Sequence, residues 1–326
     1  MKVLVATALY PTSANPAYGA FVRTQVEALA RAGVDLDVLV LRGKHRKLIY
    51  PKGVVQLRRR LAAAPISLVH AHYGYVGMVA RTQWQVPVVV TYHGDDLLGT
   101  VGPNGHIRAA SRWIAQAGRV LGRMVDAVIV QSEQMASKLD HARVYVIPHE
   151  VDLNTFRPIE QRHARQMLGL DASKKYLLFA ANPRIPVKRF PLAQAAASRV
   201  AARVPGVELI VIYTETQERL ALYMSACDAL VFPSYQEGSP NIVKQAMACN
   251  LPIVATDVGD VRKAIGDTEG CAICEPDVEA FADALCGILE LGQRTRGRQH
   301  VSHLDAPQVA RQIIQVYEDL LHPERD

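Results

Sequence analysis

Short apolar runs alternate along the whole chain with stretches whose apolar positions recur at helical spacing. In the first half, Val3–Ala6, Asp37–Leu41, Leu68–Ala71, Val88–Thr91, Ala127–Val130 and Val144–Ile147 read as strands. Phe21–Ala32, Gly77–Thr82, Ile107–Met124 and Glu133–Leu139 read as helices. The second half repeats the scheme. Its strands are Tyr176–Ala180, Glu208–Ile212, Ala229–Phe232, Ile253–Ala255 and Cys271–Cys274, and its helices Phe190–Arg203, Asn241–Cys249, Val278–Leu291 and a last amphipathic one, Gln308–Leu321. Strands apolar at nearly every position lie in sheets covered on both faces, and alternation with helices makes those sheets parallel. The turn-rich stretch from Val151 to Ser173 separates the halves. The expected fold is α/β: two doubly wound, Rossmann-like domains whose parallel sheets face each other across a cleft, with ligands at the carboxyl ends of the strands.

Composition narrows this further. A chain of 326 residues, 49% hydrophobic, suits two ordinary domains. Its longest apolar runs, such as Tyr176–Ala181 and Leu209–Tyr213, fall short of a membrane span. The opening Lys2-Val-Leu-Val-Ala6 reads as a strand and not a signal peptide, which predicts a cytoplasmic protein. The five cysteines (Cys227, Cys249, Cys271, Cys274, Cys286) lie mostly in apolar stretches. A lone Cys271-x-x-Cys274 lacks the second ligand pair of a zinc site, so buried reduced thiols are expected. Charge is uneven. Residues 1–158 hold 19 Lys+Arg against 10 Asp+Glu, a net +9, and the remainder is −3. Basic residues cluster at 44–47, at Arg58-Arg59-Arg60, and as Arg108, Arg112, Arg119 and Arg123 along one expected helix. No nucleic-acid motif accompanies them, which leaves two readings open: a counterpart that is an anionic acceptor or the anionic inner face of the cell membrane, or a basic face that is simply solvated.

Four constellations carry candidate chemistry. Val231–Thr256 reads as strand, loop, helix and strand, with Glu237 in the loop and a helix opening at Ser239-Pro240. Free amides around Asn241 and Ile242 suit an anion, and Glu237 suits hydroxyls: a sugar joined to a phosphate. Asn182–Arg189 follows the first strand of the second half, and Arg184 and Lys188 there can both reach a diphosphate. Tyr10–Val22 follows the first strand, with Gly19 where backbone can approach a ligand closely, and without G-x-G-x-x-G. Thr91–Asp96 ends a strand with His93, placed to hydrogen-bond or orient a substrate.

Glu237-Gly238-Ser239-Pro240, then Ala246-Met247-Ala248 and Pro252-Ile253-Val254-Ala255-Thr256, resembles the donor signature E-G-x(6)-E-A-M-A-x-x-x-P-V-V-A-T of family 4 glycosyltransferases. Gln245 stands where that pattern has its second glutamate. Ile147-Pro-His-Glu-Val-Asp152 echoes the family's I-P-N-G-V-D, and Tyr223–Asp228 its Y-x-x-A-D helix. The resemblance implies the two-domain GT-B architecture: residues 1–158 as the acceptor domain, 159–305 as the nucleotide-sugar domain, and 306–326 as a helix crossing back to the first. It implies transfer of a sugar from a nucleotide diphosphate to an acceptor hydroxyl, with retention, in glycan or glycolipid assembly. His93, Glu237, Arg184 and Lys188 are then the catalytic set. Gly19, Gly238, Ser239, Pro240, Asn241, Ile242 and Gln245 bind the donor. Neither a metal nor a cofactor is expected, because basic side chains neutralise the diphosphate. The partners are a nucleotide sugar and a glycan or lipid-linked acceptor. The stretch between Ile212 and Leu220 is shorter than in the family, where it helps hold the base. With Gln245, it favours one alternative, a non-catalytic protein that binds a nucleotide sugar or a partner; a sugar-nucleotide epimerase or phosphorylase on the same architecture is the other.

Overall fold

Strand β1 (Lys2–Thr7) of the computed structural model, which describes residues 1–43, 48–102 and 105–322, is buried from Val3 to Thr7. Its side chains alternate between two cores: Leu4 and Ala6 face one layer of helices, and Val3 and Val5 the other. The chain continues through α1 (Ala20–Arg31), β2 (Asp35–Val40), α2 (Ile49–Ala63), β3 (Leu68–His72), α3 (Gly74–Ala80) and β4 (Val88–Thr91). It goes on through α4 (Asp95–Leu98), α5 (Ala109–Gly122), β5 (Ala127–Val130), α6 (Glu133–Ala136) and β6 (Val144–Val146). The six strands form one parallel sheet in the order β2-β1-β3-β4-β5-β6.

The second sheet belongs to α7 (Gln161–Leu168), β7 (Lys175–Phe179), α8 (Phe190–Arg203), β8 (Val207–Val211), α9 (Gln217–Ala226) and β9 (Ala229–Phe232). These are followed by α10 (Asn241–Ala248), β10 (Ile253–Ala255), α11 (Val261–Ile265), β11 (Cys271–Ile273), α12 (Val278–Leu291) and α13 (Arg298–Val301). Its order is β11-β10-β9-β7-β8, again all parallel. Leu177, Phe179 and Val231 pack under α8 and α12 on one face, while Leu178, Leu230 and Phe232 pack under α9 and α10 on the other. Both sheets are therefore the covered, parallel kind that their apolar strands require.

The last helix, α14 (Ala306–Leu321), packs on α1 of the first unit. Val309, Ile313, Val316 and Leu320 meet Val22, Val26 and Leu29, each such burial worth roughly 1.5–3 kcal/mol. The first unit comprises residues 1–100, 107–150 and 306–326, and the second 101–106 and 151–305.

Several elements differ from the sequence expectation for physical reasons. The first unit closes at Glu150 and not at Pro158. The Val151 amide donates to Leu304 O at 2.9 Å, and Phe156 is buried in the second unit's core. Helix α2 was not expected. It buries little beyond Gly53 and Leu57, its outer face carries Arg58-Arg59-Arg60, and Pro51 and Gly53 near its start disguise it as a loop. Helix α3 begins at Gly74 and not at Gly77, because a distant carboxylate caps it (below). Pro240 is the residue before α10, not inside it. Only Cys227 and Cys249 are fully buried, while Cys271, Cys274 and Cys286 are half-buried; all five are free thiols. Burial pushes Cys249 up to about 12 and Cys271 to about 11, so neither is a ready thiolate. The basic run at 44–47 lies outside the described residues.

Candidate active site

In the second unit, the carboxyl ends of β7 and β9 bring two loops together. After β7, Asn182 Oδ1 accepts the Arg184 N–H at 2.9 Å, and the chain then makes one 3-10 turn, Pro186–Lys188. The loop after β9 docks on it, with the Tyr235 N–H donating to Val187 O at 2.8 Å. Arg189 stacks over the Tyr235 ring, 4.1 Å from its centroid, and donates to Pro276 O. The result is an ion pair: Lys188 Nζ donates to Glu237 Oε1 at 2.6 Å, with both side chains largely sheltered. Arg184 lies on the same loop with its side chain exposed and in no salt bridge among the described residues. Lys188 and Glu237 are therefore brought together, and the Arg184 side chain stands apart from them.

The Glu237–Pro240 segment is held from beneath. Lys244 is almost wholly buried one turn into α10. Its Nζ reaches Ser239 Oγ and lies 2.8 Å from Asp260 Oδ2, which also accepts the Ser239 hydroxyl at 2.8 Å. Gly259 takes a left-handed φ of +60°, and a Cβ there would stand 2.7 Å from Gly238 O, so only glycine lets the 259–260 turn back the loop this closely. Asn241 and Ile242 open α10 half-buried, with Gln245 one turn further on. The buried Oδ1 of Asn241 and the Oγ of Ser234 have no hydrogen-bond partner. Unpaired buried polar atoms of this kind are rare and call for a partner such as a ligand hydroxyl.

The first unit has its own constellation at the ends of β3 and β4. His93 Nδ1 lies 3.1 Å from His149 Nε2, and His93 Nε2 lies 3.2 Å from His72 Nδ1. His70, behind them, pairs with Tyr317 Oη and Thr91 Oγ1, both at 2.6 Å. The rings stack in sequence, and Phe21 and Tyr73 pack on His93. Burial first, then the neighbouring histidines, lowers the His93 pKa, and burial takes His72 down to about 3. At neutral pH His70, His72 and His93 are uncharged. Both ring nitrogens of His93 are taken up by other histidines, so the sequence-level picture of a free imidazole reaching for substrate gives way to an oriented, neutral ring.

Asp96 organises this corner. Its carboxylate accepts the N–H groups of His93 and Gly94, both at 3.0 Å, and of Gly74 at 3.2 Å. That ties the loop after β4 to the start of α3. Burial raises its pKa to about 7, against the pull of those amides. The Asp96 carboxylate is therefore taken up by backbone amides. Next to Gly74, Tyr73 adopts φ 74° and ψ 147°, a backbone shape nearly reserved for glycine, and such strain concentrates at functional sites. Tyr73 lines a cavity of about 620 Å³ together with Tyr10, Tyr18, Tyr50 and Tyr75. Gly19, φ +70°, starts α1 and packs against Leu9, where a Cβ would collide with backbone at 2.4 Å.

The profile of Glycosyltransferase Family 4 matches residues 18–155, and that of Glycosyl transferases group 1 matches residues 175–291. The chain belongs to the family 4 glycosyltransferases. It is 27% identical over 350 residues to the putative teichuronic acid biosynthesis glycosyltransferase TuaC of Bacillus subtilis, covering 87% of this chain and 88% of that one. It is 28% identical over 277 residues to the D-inositol 3-phosphate glycosyltransferase of Mycobacterium tuberculosis (strain F11), covering 71% of this chain but only 55% of that longer protein. Sucrose-phosphate synthase from Thermosynechococcus elongatus has the same fold, with a TM-score of 0.80 at 21% identity over 99% of this chain and all of that one. Anabaena HepE in complex with UDP-glucose superposes at a TM-score of 0.74 and 16% identity, over 98% of this chain and all of that one. The fold is GT-B, the fold of these glycosyltransferases.

Several residues of this glycosyltransferase escaped the sequence reading. Lys244 and Asp260 looked like ordinary helix and turn residues, because only folding buries them against each other. His149 was visible as the substitution in Ile147-Pro-His-Glu, and His72 as the second histidine of His70-Ala-His72, but nothing local says that they stack on His93.

Proposed function

We propose that this enzyme carries a nucleotide-diphosphate sugar on its second unit. It transfers the sugar, with retention at the anomeric carbon, to an acceptor hydroxyl bound in the tyrosine-lined cavity of its first unit. The observation that carries this reading is the sheltered Lys188–Glu237 pair, which joins the loops after β7 and β9 just ahead of α10. When donor binds, Lys188 exchanges the carboxylate for a phosphate oxygen, and Glu237 is freed to accept sugar hydroxyls. Arg184 grips the diphosphate as a fork, and the Asn241 and Ile242 amides at the start of α10 add two fixed donors. Preorganised donors stabilise the charge that builds as the diphosphate departs. The acceptor oxygen bonds to the anomeric carbon on the face the diphosphate leaves, and its proton passes to the departing phosphate oxygen. No enzyme nucleophile and no metal ion enter this scheme. The stack around His93 orients the acceptor side as a neutral wall. The teichuronic acid relative and the UDP-glucose complex of HepE support a glycoconjugate setting and uridine donors as the first to try.

The test is nucleoside diphosphate release from a panel of nucleotide sugars, with and without chelator, preceded by thermal unfolding of the protein with each. The productive donor is expected to raise the unfolding midpoint, and about 2.7 kcal/mol of stabilisation corresponds to a hundredfold excess over Kd. If no nucleotide sugar shifts the midpoint or is turned over, the proposal is lost. If one shifts it but is never turned over, the protein is a binder.

Gln245 gives a second expectation. Glutamine keeps an oxygen acceptor for ribose hydroxyls but not the charge, and a charged hydrogen bond is stronger by about 0.5–2 kcal/mol. Gln245→Glu is expected to tighten donor binding roughly 2- to 30-fold by calorimetry. Unchanged or weaker binding would remove Gln245 from the ribose site.

A further inference from the structure

Helix α5 carries two exposed stripes that the transfer chemistry does not use. Trp113, Ala117 and Val120 on the helix, and Met124 in the turn that follows it, recur at i, i+4, i+7 and i+11, and Trp113 is 78%, Val120 46% and Met124 47% exposed. Arg112, Arg119 and Arg123 each precede one of these apolar residues, and Arg108 stands at the head of the helix. No acidic residue occurs between 108 and 125. Arg123 meets Asp140 at 3.2 Å with both side chains well exposed, and no salt bridge holds Arg108, Arg112 or Arg119 among the described residues. The third face, Ser111, Ala115, Gly118 and Leu121, is buried in the first unit. Between α3 and α5 lies an almost wholly apolar slot of about 200 Å³, lined by Tyr75, Met78, Trp113 and Gly118. It shares Tyr75, Asp96 and Ile114 with the larger tyrosine-lined cavity.

We propose that this face docks on an anionic lipid bilayer, with Trp113, Val120 and Met124 at the headgroup–acyl boundary and the flanking arginines on lipid phosphates. A helix with an exposed apolar stripe, a Trp anchor and an arginine-rich polar face is built to lie in an interface. The exposed apolar residues alone would suit a second copy of the chain. Arg108, Arg112 and Arg119, which no salt bridge holds among the described residues, suit anionic headgroups instead, and two copies would bring those charges together. The slot opens beside this surface and adjoins the cavity, so an acceptor held in the bilayer has a short apolar route inward. The inference stands on α5 alone, so vesicle binding and sugar turnover can succeed or fail separately.

Sedimentation of the full-length protein with vesicles tests it. Binding is expected to phosphatidylcholine vesicles containing a quarter phosphatidylglycerol, and not to pure phosphatidylcholine, and to fall in high salt. Arg108→Glu/Arg112→Glu is expected to weaken it at least tenfold, since each arginine near the surface contributes about fivefold. A Trp84→Phe variant, in which Trp113 is the remaining tryptophan, is expected to shift its emission to the blue on the anionic vesicles. The variants should keep the wild-type unfolding midpoint. Absence of binding, equal binding to both vesicle types, or indifference to the charge reversal overturns the proposal. So does lipid-free self-association that Trp113→Ser abolishes, which would make the face an interface between copies.

Discussion

Lys188→Met is expected to lower nucleoside diphosphate release by roughly 10²- to 10³-fold in kcat/KM, the usual effect of removing one preorganised donor, about 2.7–4 kcal/mol. Methionine keeps most of the stem's packing and removes only the charge. The cost to the fold should be modest, on the order of 1–3 kcal/mol, because a largely sheltered carboxylate is left without its partner. Glu237→Gln tests the other half. If Glu237 serves the sugar only after Lys188 has turned to the phosphate, the two residues act as a unit, and the double variant should lose far less than the sum of the singles. Turnover within threefold of wild type for Lys188→Met, with the donor confirmed bound, would exclude the role assigned to this lysine.

Lys244→Met should show the opposite profile: a large loss of stability reaching activity only through the donor. The lysine is buried against Asp260 and Ser239, and removing one member of a buried pair strands the other, at a cost of about 3–5 kcal/mol. For a unit of this size that corresponds to roughly 6–20 °C in Tm at about 2–4 °C per kcal/mol. Adding Asp260→Asn removes the stranded charge while keeping an acceptor for Ser239, so the double variant should recover part of the loss. The surviving folded fraction should bind donor more weakly, because Ser239 and the amides of α10 lose their support. A shift below 2 °C would mean that water reaches the lysine and that the triad does not brace the loop.

Legibility from the sequence followed the range of the interactions involved. The central strands β1, β4, β5, β7, β9 and β10 were visible because nearly every residue in them is apolar, as burial on both faces requires. Glu237 through Ile242 were visible because the chemistry of a loop before a helix is local. Lys188 could be proposed from its loop, but its bond to Glu237 joins residues 49 positions apart. Helix α3 was misplaced by three residues because its cap, Asp96, comes from α4, 22 positions on. Helix α2 was missed because its first two turns hold Pro51 and Gly53 and its inward face is short.

By itself the sequence determined the fold class and the family, since periodicity, turn chemistry and motif spacing act between near neighbours and are written in order. Tertiary structure alone decided which charges are paired and which histidines are neutral. Lys244 finds Asp260, His93 is closed in by His72 and His149, and Asp96 spends its carboxylate on three amides. Burial sets the electrostatics of such groups, and burial is a property of the packed chain and not of any stretch of it.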